Sequence, residues 1–223
     1  MIIALDGPSG AGKSTIARLA AKRLGFSCLD TGAMYRCVAY LALKDGVSLD
    51  DEEKLGELAR TACISFEHEA GDPAPSRVLI DGLDVTSAIR TGEVDRAVAR
   101  VASVPEVRRA LVDQQRRIGR QGNYVVDGRD IGSTVFPDAE VKLFVTASAE
   151  ERAHRRVAQN LARGVGDTDY DKVLADIIKR DEQDTHRAES PLHRADDAVL
   201  LDTSGRTVKE CVRFVCDLQK EAE

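Results

Sequence analysis

No apolar run in this 223-residue chain approaches 18 residues, so a membrane-spanning helix is not expected. Residues 1–6 read as a first core strand, which leaves no place for a signal peptide, and a cytoplasmic protein is the expectation. Cysteine is sparse and unpatterned. Cys28, Cys37, Cys63, Cys211 and Cys216 are odd in number and lack the short paired spacing of a metal site, so they read as reduced, packed thiols. A positive balance is missing too: 32 Lys and Arg against 38 Asp and Glu leave a net charge of −6. The surface as a whole therefore does not seek nucleic acid or anionic lipid, and any basic patch must be local. There is no internal repeat, no low-complexity tail and no obvious nucleophile–base pair. What remains is 43% apolar and 31% charged, which suffices for one α/β domain with a full core, or one with a small insertion.

The stretch Ile2-Ile3-Ala4-Leu5-Asp6 reads as a buried strand that breaks into Gly7-Pro8-Ser9-Gly10-Ala11-Gly12-Lys13-Ser14-Thr15. This matches a phosphate loop at every fixed position, between a strand and a helix as that motif requires. Glycines let the backbone curl so that successive N–H groups face an anion. Lys13 would reach the β- and γ-phosphates, Ser14 would hold Mg²⁺, and the helix start adds its positive end. The stretch predicts a nucleoside triphosphate site.

Helical spacing follows at Ile16, Leu19, Ala20 and Leu24, with Gly25 as a stop. A short strand is expected at Phe26–Leu29, then a helix from about Gly32 to Lys44 with Thr31, Tyr35 and Arg36 near its start. Arg36 is either solvated or anion-facing. After a helix at about 50–62 the pattern changes: alternation at Ile64, Phe66 and His68, a Gly71–Pro75 loop, Val78-Leu79-Ile80, and an Asp81-Gly82 hairpin signal. Short strands joined by turns do not belong in a parallel sheet, so residues 63–90 read as a small antiparallel insertion. Helices are expected from about Thr91 to Ala102 and Pro105 to Arg120, a strand at Tyr124–Val126 and another at Val141–Val145. Helices at about Ser148–Arg163 and Tyr170–Arg187, a strand at Ala198–Leu201 and a helix from about Thr207 complete the chain.

Charged residues then gather in ways that need an account. Asp127 ends a strand, where an acid can orient Mg²⁺ or simply bond its own turn, and Arg129 and Asp130 follow at once. Arg152, Arg155 and Arg156 share one helix face, with Arg163 seven residues beyond. Such a row is a solvated face or a set of cis arginines for a transferring phosphoryl group. Val173, Ile177, Arg180, Asp184 and Arg187 advance by four, three, four and three residues and so form one stripe. Charges that continue a core-facing stripe are costly unless paired or bound, which leaves an Arg180–Asp184 ion pair or a polar ligand pocket.

Together these motifs resemble the bacterial cytidylate kinases, a branch of the phosphate-loop nucleoside monophosphate kinases. The resemblance rests on the loop itself, Asp30-Thr31-Gly32-Ala33-Met34-Tyr35-Arg36, Ile89-Arg90-Thr91, Val107-Arg108 and Asp127-Gly128-Arg129-Asp130-Ile131-Gly132. Val135-Phe136-Pro137-Asp138-Ala139, Glu151-Arg152-Ala153-His154-Arg155-Arg156, Arg180-Asp181 through Arg187, and Pro191-Leu192 complete it. It implies a three-layer α/β kinase fold with a central parallel sheet. The core would span about 1–36, 103–147 and 188–223, an antiparallel monophosphate-binding insertion about 37–102, and a helical lid about 152–168. It implies transfer of the γ-phosphoryl group of ATP, with Mg²⁺, to CMP or dCMP, by a monomer that needs neither nucleic acid nor membrane.

By the same resemblance Lys13, Arg129, Arg152, Arg156 and Asp127 are catalytic, and Ser14 and Asp127 are metal-facing. Arg36 and Arg129 hold the monophosphate, with Thr31 and Tyr35 in the same pocket. Arg108, Asp130 and Arg187 surround the cytosine, Asp184 with Arg180 faces the sugar, and Arg155 joins the lid row. The chain departs from the pattern at Ala99, where many relatives carry a serine for the base; Ser103 stands four residues on. Kinases of UMP, shikimate or dephospho-coenzyme A are alternatives, the last two disfavoured by the insertion and the stripe. A GTP switch is the other class, suggested only by Asp202-Thr203-Ser204-Gly205 and opposed by the missing Asn-Lys-any-Asp guanine signature.

Overall fold

The computed structural model describes residues 1–164, 166–186 and 190–222, with Arg163 described by its backbone alone. At its centre lies β1 (Ile2–Asp6), whose five residues are all buried. It pairs in parallel with β6 (Tyr124–Asp127) on one side and β7 (Val141–Thr146) on the other. Outside these lie β2 (Ser27–Asp30) and β8 (Val199–Asp202), giving the order β2-β6-β1-β7-β8. Successive side chains of a strand point to opposite faces. Ile3 and Leu5 accordingly join Ile16, Ala20, Leu143 and Val215 on one side, where α1 (Lys13–Leu24) and α8 (Val208–Glu221) pack. Ile2 and Ala4 join Met34, Val38, Leu111 and Ile131 on the other, under α2 (Thr31–Lys44) and α5 (Pro105–Gly119). Ile3 and Leu5 are fully buried, each worth roughly 1.5–3 kcal/mol.

Local chemistry sets the ends of these elements. Asp30 caps α2 through Ala33 N at 2.9 Å, and Ser148 caps α6 (Ala149–Arg163) through Glu151 N at 3.2 Å. Thr207 and Glu210 form a reciprocal capping box on α8. The strand expected at Phe26–Leu29 begins one residue later, because the Phe26 N–H is spent closing α1 onto Ala21 O.

The insertion is an antiparallel sheet of β3 (Ile64–His68), β4 (Pro75–Ile80) and β5 (Leu83–Asp84). Asp81 and Gly82 both have positive φ, 51° and 81°, as the tight hairpin between β4 and β5 demands. Its inner face is continuous with the main core: Ile64, Val78, Ile80 and Val85 pack in the same cluster as Leu55 and Ala59 of α3 (Glu52–Thr61) and Leu111 of α5. Between this sheet and α5 runs α4 (Gly92–Ala102), capped by Thr91. By contrast α6 and α7 (Tyr170–His186) pack on each other with a small core of their own, Ala153, Val173 and Ile177, closed by a His154–Tyr170 stack at 4.5 Å. A widened turn at Ile131–Val135, after β6, has no counterpart in the sequence reading. No helix among the described residues is long and apolar enough to cross a membrane.

Candidate active site

The phosphate loop leaves the carboxyl end of β1, the central strand, where open α/β sheets present their ligand crevice. Gly7 has φ 141°, and a Cβ there would lie 1.9 Å from Val145 O, so only glycine lets the loop turn over β7. Lys13 is buried at the start of α1 and its Nζ donates to Gly7 O and Pro8 O, each at 2.7 Å. Burial pushes its pKa down to about 7; Arg129 adds to the shift, and Asp127, Asp6 and Asp184 oppose it. One ammonium thus lies in the field of residues from β1, β6, the segment after β6, and α7.

Opposite the loop, Ser14 Oγ donates to Asp127 Oδ2 at 2.6 Å. Asp127 stands in register with Asp30 across the β2–β6 pair. Burial, with the Asp30 charge second, raises the Asp127 pKa to about 6, while Ser14, Lys13 and Arg129 pull it down. A hydroxyl and a carboxylate side by side, with a second carboxylate in the field, make an all-oxygen donor set. That set fits Mg²⁺, which takes one or two protein oxygens and fills its remaining positions with water and phosphate.

Arginines close over this centre from three directions. Arg129 Nε donates to Asp184 Oδ2 at 2.7 Å. Among the described residues the ion-pair partner of Asp184 is therefore Arg129 of the core, where the α7 stripe had suggested Arg180. A periodicity along one helix carries no information about what another element brings to it. Arg180 is shifted downward by burial, then by Arg129, with Arg156 and Arg36 adding and Asp184 opposing. Four arginines thus share one electrostatic field. Within it Arg36 is paired with Asp95 of α4. The stripe is otherwise as expected, with Val173 and Ile177 buried in the α6–α7 contact. Arg187, its last member, lies outside the described residues.

The α6 arginines divide. Arg152 is buried; its Nη1 donates to Ser9 O at 3.2 Å and its Nη2 to Asp181 Oδ2 at 2.6 Å. Arg156 Nη2 reaches Ser9 Oγ at 3.2 Å. Arg155 donates to Thr203, to Oγ1 at 2.9 Å and to the carbonyl at 3.0 Å, with its Nη1 beside Gly12. All three arginines therefore border the phosphate loop, Arg152 and Arg156 at Ser9 and Arg155 at Gly12. The Asp202–Gly205 segment has a plain role as well. Its Thr203 hydroxyl lies 3.1 Å from Ala11 O and from Thr146 O, bracing the phosphate loop from behind.

Beside β6 a second pair is buried. Arg108 of α5 is bonded to Asp130, both about 5% exposed, and its guanidinium lies 5.7 Å from the centre of the Tyr35 ring. Thr31 Oγ1 donates to Asp127 O at 2.8 Å, so the start of α2 is tied to the end of β6. On α4, Ala99 is exposed, and the Ser103 hydroxyl donates to Arg100 O at 2.7 Å. The sequence reading passed over Asp6, which accepts from Ile131 N and Gly132 N at 2.7 Å each, and Asp181, which holds Arg152. The position of Asp6 next to the first loop glycine was the available signal.

A cleft of about 270 Å³ lies beside this centre, lined by Ser14, Thr15, Arg18, Asp30, Arg90 and Asp127 among others. A second cavity of about 400 Å³, around Ile2, Arg116 and Phe136, is lined by no residue of the phosphate loop and by none of the site arginines and aspartates named above.

A family model described as cytidylate kinase matches residues 3–221. A cytidylate kinase from Carboxydothermus hydrogenoformans is 50% identical over 218 residues, covering 98% of this chain and 96% of that protein. One from Desulfitobacterium hafniense is 50% identical over 216 residues, with 97% and 91% covered, and one from Streptococcus equi subsp. equi is 48% identical over 222 residues, with 99% and 95% covered. The solved structure of an uncharacterized protein from Eubacterium ventriosum shares the fold, with a TM-score of 0.52 at 12% identity over 97% of this chain and 96% of that one.

Proposed function

The chain belongs to the cytidylate kinase family, and from that premise we propose how its residues phosphorylate CMP and dCMP with ATP as donor. The observation that carries the proposal is the shared field over the phosphate loop. Lys13, Arg129, Arg180, Arg156 and Arg36 act on one another there, with Asp127 and Asp184 as the counter-charges. Five basic groups outnumber those two carboxylates there, and the phosphates of two bound nucleotides would balance the excess.

In this reading the backbone of Gly7 to Thr15 cradles the donor phosphates, and Lys13 reaches the β- and γ-phosphoryl oxygens. Ser14 and Asp127 hold Mg²⁺, which when bound neutralises charge on the donor phosphates. Arg36 and Arg129 take the acceptor monophosphate, with Thr31 and Tyr35 shaping the pocket. Asp184, with Arg180, faces the sugar; Arg108, Asp130 and Arg187 meet the base. An oxygen of the acceptor phosphate attacks the γ-phosphorus, a new P–O bond forms, and the bond to the β-phosphate oxygen breaks, releasing ADP. That oxygen is already anionic near neutral pH, so no general base is required. Arg152 and Arg156 stabilise the transferring group and, with α7, exclude water that would otherwise hydrolyse ATP.

We assign residues of about 1–36, 103–147 and 188–223 to the core, 37–102 to the acceptor-binding insertion and 152–168 to the lid. We read the chain as a cytoplasmic monomer that acts on small nucleotides; its net charge of −6 supports the reading that nucleic acid is not a partner. Labelled γ-phosphoryl ATP mixed with CMP tests the chemistry. Label should appear in CDP when Mg²⁺ is present; label released as inorganic phosphate would contradict direct transfer.

A further inference from the structure

We propose that Asp6 is a positioning residue that ties the donor strand to the base-reading end of the acceptor site. The inference rests on the reading of Arg108 and Asp130 given above. Asp6 is the last residue of β1, directly before Gly7, and it is 5% exposed. Its two carboxylate oxygens accept separately, Oδ1 from Ile131 N and Oδ2 from Gly132 N, both at 2.7 Å. Those amides open the widened turn that follows Asp130. Asp130 in turn is bonded to buried Arg108, which faces Tyr35. A carboxylate on the strand that carries the phosphate loop therefore fixes the backbone directly after Asp130, the acidic member of the pair that it forms with Arg108 of α5. Two charge-assisted bonds to successive N–H groups restrain that backbone more tightly than one neutral bond.

The phosphate loop keeps its shape by other means: Lys13 bonds Gly7 O and Pro8 O, and Gly7 is pressed against Val145. Loss of the carboxylate should thus be felt at the acceptor. Asparagine at position 6 keeps one acceptor and turns its NH₂ toward the other N–H.

Asp6→Asn is expected to raise KM for CMP by about ten- to a hundredfold, the range for losing a charged hydrogen bond, and to narrow the preference for CMP over UMP. KM for ATP should rise by a clearly smaller factor, because the Asp6 charge also supports the Lys13 ammonium. Combined with Asp130→Asn, the effects on CMP should fall well short of multiplying, because both act through one segment. Equal increases in both KM values with a lowered Tm, or full multiplication in the double variant, overturn the role. Wild-type enzyme in the same assay separates the two levels: failure to phosphorylate CMP at all overturns the site reading and this role together. Hydrogen exchange in the wild-type protein tests the clamp without any variant. The Ile131 and Gly132 amides should be protected, and exchange at the rate of an open loop would overturn it.

Discussion

Asp184 accepts from Arg129 Nε at 2.7 Å, so a residue of α7 holds one from the end of β6, and each half of that pair faces the proposed acceptor. Asp184→Ala removes an acceptor for the sugar and releases the guanidinium meant for the monophosphate. A charged hydrogen bond is worth roughly 1.5–3 kcal/mol, so KM for CMP should rise about ten- to a hundredfold while KM for ATP holds. An unchanged KM for CMP beside a large fall in Tm would mean the pair only braces the fold. Asp127 makes a different prediction. Its pKa stands near 6 in the folded chain against 3.8 for the free group, so the native state binds the proton more tightly than the unfolded chain. Its contribution to stability is fully present below about pH 4 and is lost as pH rises to about 6, on the order of 3 kcal/mol. Asp127→Asn carries no such penalty. Urea unfolding should show the variant gaining on wild type between pH 4 and 7, while phosphoryl transfer falls; a constant difference across that range would contradict the shift. The motif residues here were legible in the sequence because their spacing is local. Arg129 as partner of Asp184, 55 residues away, was not, nor was the double amide clamp of Asp6, which spans 125 residues to Ile131.

At the level of elements, the helical hairpin α6–α7 has its own small core, whereas β3–β5 share theirs with α3 and α5. An element that carries its core with it can move as a unit, and one that shares a core moves at the cost of opening it. Binding ATP and CMP together should therefore slow hydrogen exchange in both regions, but more in α6–α7, where Arg152 and Arg156 already touch Ser9. Protection confined to the phosphate loop, or greater in β3–β5 than in α6–α7, would show that the closing part has been misassigned. Most helices and strands were readable from periodicity and caps to within a residue or two, and Asp81-Gly82 announced its hairpin; β4 begins at Pro75, three residues before the apolar run that signalled it. The widened turn at Ile131–Val135 was not: beside its own backbone bonds it is held by Asp6 from another strand, a contact that local sequence does not announce.

Across the whole molecule, the site residues come from elements that meet at the carboxyl edge of the β2-β6-β1-β7-β8 sheet, among them β1, β6, α1, α2, α5, α6 and α7. The order of those strands could not be read from the chain, since buried parallel strands all look alike as apolar runs. The phosphate loop and the antiparallel insertion could be, because each breaks the alternation of strand and helix. In the proposed reading, the pair of Arg108 with Asp130 beside Tyr35 forms the end of the site that meets the base, apart from the loop proposed to take ATP. The central claim is that this end selects a cytosine nucleotide as phosphoryl acceptor. The direct test is the initial rate of ADP formation from ATP with CMP, dCMP, UMP and AMP at matched concentrations. CMP and dCMP should react fastest, UMP more slowly, and AMP at background; AMP or UMP reacting faster than CMP would contradict the account.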